Sequence, residues 1–339
     1  MRYTQQRERG SDSSRGLQTP KRGLNLKILA VVDGKPASVS ALKTAMEFAE
    51  RLRAELGVIS IRSGTHAMED PAPVGVDIPT GARPTMPPGI RNLMEAADVL
   101  VASGVLAPFK TIKLRDVPHG HLFFGLKANG ERLPFCERFG GLIAELNEEI
   151  ATHQYNLVVI AALRRGAFGR FAPMNVPRQM ALDLHCSFLI VRGGTPASRF
   201  MVCADGSPSS RRIFTFLQKI QPAITGPVEL ICARRPDEPE ADRAKAEHFL
   251  AQARAWLSRC GKSVRVLQPE GKKRFELILE AAGSDAVIVM GESHMHDVRR
   301  RTLGTLPLKV MARTDSSFLL VKQPTEPEPE MFEETFACE

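Results

Sequence analysis

The residues best spaced for chemistry lie late in the chain. Val289-Met290-Gly291-Glu292-Ser293-His294 is followed, after nine intervening residues, by Gly304-Thr305 at the head of a helix-compatible stretch. A glycine closing a strand lets the backbone approach a ligand where a Cβ would collide. A second glycine with a hydroxyl residue at a helix start offers free N–H groups and a partial positive charge to phosphate. Asp205 ends a neighbouring strand pattern, so ribose or adenine could sit against it while the loop takes the phosphates. Arg299, Arg300 and Arg301 between the glycines would either add charge at the phosphate end or form a solvated basic loop.

Other constellations point nowhere specific. His119-Gly120-His121 and the pair His294 and His296 lack a third and fourth ligand at matching spacing, so no metal is expected. There is no Gly-x4-Gly-Lys-Ser/Thr phosphate loop, no Gly-x-Gly-x-x-Gly fingerprint and no Gly-x-Ser-x-Gly elbow. Neither a nucleophile–base pair nor a positioned metal carboxylate can be named. The expectation is therefore a protein that is not an enzyme, or at most hydrolyses ATP slowly. Trp256 reads as a helix packing residue.

The elements that must hold these residues occur twice. Asn25–Asp33 is a short apolar strand ending in Asp-Gly, followed by a polar turn and a helix with Leu42, Ala45, Met46, Ala49, Leu52 and Leu56 on one face. Phe200–Asp205 repeats this, with Ile213, Leu217 and Ile220 in the helix. The closing segments match as well, Cys186-Ser-Phe-Leu-Ile-Val-Arg192 against Ser316-Ser-Phe-Leu-Leu-Val-Lys322. Each copy reads β-α-β-α-β-α-β-α-β, which indicates a five-stranded parallel sheet with helices on both faces. In the second copy the strands fall near 199–204, 227–233, 263–268, 285–290 and 316–322, with helices over Glu240–Cys260 and Lys273–Ala282 among those between them. Ligands of such sheets bind beyond the carboxyl ends of the strands, beside the switch in strand order.

The first copy is longer by about 42 residues, and long loops are unusual in compact domains. Met68–Gly89, rich in Pro and Gly, reads as an irregular loop. Pro118–Gly140 holds an Asn129-Gly130 step and reads as an added hairpin or lid, or more plainly as a surface loop with a small satellite core. The expected organisation is a basic arm over 1–24, a first domain over 25–194 with insertions near 68–89 and 118–140, a second domain over 198–323, and an acidic tail over 324–339.

Composition narrows the class. Of 339 residues, 43% are hydrophobic, which excludes a disordered protein, and no apolar run is long enough for a membrane span. The net charge of +8 sits partly in the arm, and no face interleaves basic and aromatic residues, so nucleic acid is not an expected partner. The six cysteines show no C-x-x-C pair and read mainly as small hydrophobes. With no apolar leader, a cytoplasmic location is expected.

The tandem Asp-Gly strand ends, the β/α order and Gly291-x2-His294-x9-Gly304-Thr305 together resemble the universal stress protein family, over about residues 25–322. Nucleotide-binding members of that family show Gly-x2-Gly-x9-Gly-Ser/Thr. The resemblance implies two tandem doubly wound domains of the adenine nucleotide α-hydrolase-like type, paired through edge strands such as Phe188–Arg192 and Phe318–Lys322. It further implies ATP or a related adenine nucleotide, with or without Mg2+, in the second domain. There Ala204 and Asp205, the backbone at Cys232 and Ala233, and Met290, Gly291, His294, Gly304 and Thr305 would form the site. His294 departs from the pattern: its side chain would either donate to a phosphate oxygen or block the pocket. In the first copy the matching window is Ala162-Leu-Arg-Arg165-x9-Asn175-Val176, without a glycine, so that copy is expected not to bind ATP and Asp33 to serve as a turn residue. The implied role is a stress-response module acting through conformational or partner switching, as a homodimer or through pairing within the chain, with an unidentified protein partner. The competing reading is a nucleotide-free dimeric scaffold with both loops degenerate.

Overall fold

The computed structural model describes residues 26–62, 74–162, 175–193, 198–292 and 306–322. The first copy comprises β1 (Lys27–Val31), α1 (Pro36–Leu52), β2 (Glu55–Arg62), β3 (Asp77–Pro79), α2 (Pro88–Ala102), β4 (Thr111–Lys113), β5 (Arg115–Val117), β6 (Gly120–Leu126), β7 (Arg132–Phe139), α3 (Leu142–His153), β8 (Leu157–Ala161), α4 (Asn175–Asp183) and β9 (Ser187–Val191). The second comprises β10 (Arg199–Cys203), α5 (Pro208–Ile220), β11 (Val228–Ile231), α6 (Glu240–Arg259), β12 (Val264–Leu267), α7 (Arg274–Ala282), β13 (Ala286–Gly291), α8 (Leu306–Arg313) and β14 (Ser317–Val321).

One twelve-stranded sheet runs through both copies in the order β12-β11-β10-β13-β14-β9-β8-β1-β2-β7-β6-β5. In the second copy β12, β11, β10, β13 and β14 are parallel, and β7, β2, β1, β8 and β9 repeat that arrangement in the first. The copies join where β14 meets β9 antiparallel, Leu319 facing Leu189, so the pairing that the resemblance implies is made within the chain. Alternation along the strands splits the core. Ile28, Ala30 and Val32 face α1, α2, α5 and α6, whereas Leu29 and Val31 face α3, α4, α7 and α8. Both faces of the sheet are covered, so the strands carry runs of buried aliphatics such as Ser317–Val321. Among the described residues no helix is long and apolar enough to cross a membrane.

The structure corrects the reading of 118–140 as a surface loop. It is a hairpin turning at Asn129-Gly130, where Gly130 takes φ 81, and its second strand, β7, lies parallel to β2 within the main sheet. β7 holds the place that β12 holds in the second copy, and Phe123 of β6 stacks on Phe135 of β7 at 4.7 Å. The first copy's sheet is thus five parallel strands extended by antiparallel β6 and β5, not five strands alone. A period-two strand flanked by Gly and Pro looks like a loop until its partner is known. Within 68–89, the described part carries β3, paired with β4, and a 3-10 turn over Thr80–Thr85 before α2 begins at Pro88.

Candidate functional site

The chain leaves β10 outward through β11 to β12, then returns across α7 to β13 on the other side of β10. Strand order therefore reverses between β10 and β13, the crevice where ligands of open α/β sheets bind. Ala204 and Asp205 follow β10, Cys232 and Ala233 follow β11, and Met290 and Gly291 end β13, so the sheet sets these six residues at three adjacent strand ends. His294, Gly304, Thr305 and the three arginines at 299–301 lie outside the described residues.

Asp205 opens a tightly latched turn. Its Oδ1 accepts from the Ser207 N–H at 3.1 Å and from the Ser210 hydroxyl at 2.8 Å, while the Asp205 N–H donates to Ser210 Oγ at 2.9 Å. Ser207 caps α5 by accepting from the Ser210 N–H, with Pro208 in the first turn and Gly206 at φ 73. The residue is exposed, yet its carboxyl is crowded by the α5 turn. Desolvation pushes its pKa up, but hydrogen bonds from Ser207 and Ser210 and the charge of Arg274 outweigh this and hold it below the ordinary aspartate value. Asp33 sits in a looser version: its Oδ1 accepts from the Lys35 N–H at 3.1 Å, α1 has no side-chain cap, and the Ser38 hydroxyl donates to the Lys35 carbonyl instead.

Cys232 is buried, and its N–H donates to the Leu267 carbonyl at 2.9 Å; burial raises its thiol pKa, so it is a packing residue beside the crevice. Gly291 answers to a neighbour inside the chain. A Cβ there would lie 2.6 Å from the Ser209 carbonyl oxygen and 3.0 Å from Ser209 Cβ, so the first turn of α5 demands the glycine. Glu292, the next residue, is held three ways: its N–H donates to the Val321 carbonyl at 2.8 Å, its carbonyl accepts from Arg212 Nη2 at 2.6 Å, and its Oε1 lies 3.0 Å from Lys322 Nζ. Sequence reasoning missed Ser207, Ser210, Arg212, Glu292 and Lys322. The two serines are visible as a Ser-Pro-Ser-Ser capping run; nothing local marks the other three.

The His119 and His121 region is an ionic cluster at the C-terminal ends of β2 and β7. Ser60, Glu137, His121 and Asp116 occupy one register row across four strands. His121 Nδ1 lies 3.0 Å from Oε2 of the fully buried Glu137, and His119 Nδ1 lies 3.5 Å from Glu145 Oε1. Among the described residues no group of three or more His, Cys, Asp or Glu is arranged to hold a metal ion. A cleft of about 310 Å3 lies in the first copy beside the turn that follows β1, lined by Val32, Gly34, Lys35, Pro36, Leu42 and Asn92 among others. At the matching place in the second copy Phe214 packs on Phe249 at 5.3 Å.

No protein-family model and no curated protein matches the sequence. Solved structures do match its fold. A universal stress protein from Archaeoglobus fulgidus DSM 4304 is 18% identical, with a TM-score of 0.56 over 90% of this chain and 99% of that one. The chain has the two-domain fold of the universal stress proteins. A functionally unknown protein from Pseudomonas aeruginosa PAO1 matches at 13% identity, with a TM-score of 0.57 over 93% of this chain and 96% of that one. A protein assigned to the universal stress proteins from Pseudomonas aeruginosa UCBPP-PA14 matches at 13% identity and a TM-score of 0.56, over 93% of this chain and 97% of that one. Each of these matches spans both copies of the repeated unit.

Proposed function

We propose that the chain is a cytoplasmic, stress-responsive regulatory module that binds ATP or a related adenine nucleotide, alone or with Mg2+, in its second domain, over 198–323. The first domain, over 25–194, carries no nucleotide. The observation that carries this reading is the convergence of Asp205, Cys232-Ala233 and Met290-Gly291 at the switch point of the second sheet. Asp205 and the backbone at 232–233 receive the base and ribose. Gly304, Thr305 and His294 receive the phosphates through free N–H groups and the start of α8. Its latch holds the Asp205 carboxyl below the ordinary aspartate value, which makes it a weaker base and suits it to accepting hydrogen bonds. The output is a change of conformation or of protein partner, with hydrolysis slow at most. Since β9 and β14 pair within the chain, any homodimer uses another surface.

One observation favours a second reading, a nucleotide-free scaffold: Ser209 accounts for Gly291 without any ligand. Calorimetry with ATP, with and without Mg2+, on the wild type and on Gly304→Glu separates the two. Saturable binding near one ATP per chain that the variant loses supports the nucleotide site. No heat and no co-purified nucleotide refutes it in favour of the scaffold, and two ATP per chain refutes the silent first domain.

A further inference from the structure

The junction between the copies is reciprocal in atomic detail. The Arg192 N–H donates to Ser317 Oγ at 3.0 Å, and the Lys322 N–H donates to Ser187 Oγ at 3.1 Å. Arg192 Nη2 donates to the Met311 carbonyl of α8 at 3.0 Å, and Lys322 Nζ donates to the Ala181 carbonyl of α4 at 2.9 Å. Each cation therefore crosses the junction and caps the last turn of the other copy's helix, where carbonyls lack partners and the helix dipole favours positive charge. A constant shift in residue number relates every pair.

The symmetry breaks at one position. Ala162 and Glu292 are equivalent, their N–H groups donating to the Val191 and Val321 carbonyls. Only the second copy places a carboxylate there, and Glu292 Oε1 meets Lys322 Nζ at 3.0 Å. The Lys322 side chain is 7% exposed, and a buried ammonium is stable only while its partners stay in place. Glu292 immediately precedes the loop at 293–305, and α4 immediately follows the first copy's degenerate loop. Lys322 thus has one partner at the root of the second loop and one at the end of a first-copy helix.

We propose that Lys322 couples the base of the second copy's loop to the C-terminus of α4, so that the ligand state of the second domain is felt in the first. The nucleotide part of this rests on the function proposed above; the contact itself does not. A displacement of Glu292 loosens Lys322, and with it the cap on Ala181. The copy that has lost its glycines is then the part that reports, through α4, on the copy that keeps its own.

Hydrogen exchange of the full chain, read in a peptide spanning 180–184, tests the relay without ligand. Leu184 N–H, bonded to the Met180 carbonyl at 3.0 Å, reports the last turn of α4. Glu292→Gln is expected to speed this exchange roughly three- to tenfold, the range for weakening one charge-assisted hydrogen bond. Lys322→Met should speed it at least as much, and the double variant no more than Lys322→Met alone. An unchanged rate in Glu292→Gln, or effects that multiply in the double variant, overturns the relay. Glu292 is partly exposed, so its conservative variant keeps the fold even where Lys322→Met does not. Saturating ATP on the wild type should shift exchange in the same peptide. Binding with no shift there overturns the coupling, whereas absence of binding overturns only the proposed function and leaves the ligand-free result to decide the relay.

Discussion

Gly291→Ala tests whether the end of β13 is shaped by the chain itself. The added Cβ would lie 2.6 Å from the Ser209 carbonyl oxygen, 3.0 Å from Ser209 Cβ and 3.1 Å from Ser209 C. All three belong to the first turn of α5, and carbon contacts are favourable only near 3.5–4.0 Å, so that turn must retreat by roughly half an ångström or more. It cannot retreat freely, because Ser209 Oγ bonds Ser207 Oγ at 2.8 Å and Asp205 bonds both Ser207 and Ser210. Gly291 does not have positive φ, so alanine there should gain about 0.4–1 kcal/mol from a less free unfolded chain. Overpacking costs about 1–3 kcal/mol and a weakened latch bond about 1 kcal/mol more, leaving a net loss of about 1–3.5 kcal/mol. Trp256, the single tryptophan, is buried in α6 of the second copy and reports that half in a urea titration. Gly81→Ala is the control: nothing lies within 4 Å of its added Cβ and its φ is not positive, so its midpoint should stay or rise slightly. A Gly291→Ala midpoint equal to or above the wild type would refute the steric account and return the glycine to a purely ligand-driven role.

Three further outcomes are expected. Glu149→Ala should cost about 3–5 kcal/mol, because it strands the buried Arg138 guanidinium that Glu149 meets at 2.7 Å, while Arg138→Met with Glu149→Leu should cost much less; urea titrations compare the two, and equal losses would contradict the charge argument. Asp205→Asn should lower stability near pH 7 by about 1 kcal/mol, the scale of a lost helix-start bond. Since the folded pKa of Asp205 is depressed, that contribution is present above its unfolded pKa and lost as pH falls through the folded one; wild type and variant should therefore converge in strong acid, and a gap that persists at the lowest pH is the opposing result. Native alkylation at pH 8 should spare Cys136 and Cys186, whose thiols burial pushes up to about 12, and label the half-buried Cys260 well before either, as peptide mapping of a time course would show.

The repeated Asp-Gly strand ends, the matched closing segments and the β/α alternation were legible because each is local: a strand buried on both faces must be a run of aliphatics, and a helix start needs its cap within a few residues. Hence the second copy's five strands, the turn role of Asp33 and the packing role of Trp256 could be read from the chain alone. Partnership across distance could not. Nothing in Arg132–Phe139 says that it lies beside β2 and completes the first sheet, because a strand acquires its place only from the edge that receives it. Nothing around Gly291 names Ser209, a contact made by the turn of α5 onto β13. Lys322 and Glu292 are thirty residues apart in sequence, and Lys322 is still farther from Ala181; the parallel pairing of β13 with β14 brings the first two together, and the antiparallel meeting of β14 and β9 adds the third. Residue types and their periods determined which elements form. Which residues touch was decided by the packing of those elements, since side-chain contacts depend on three-dimensional register and not on spacing along the chain.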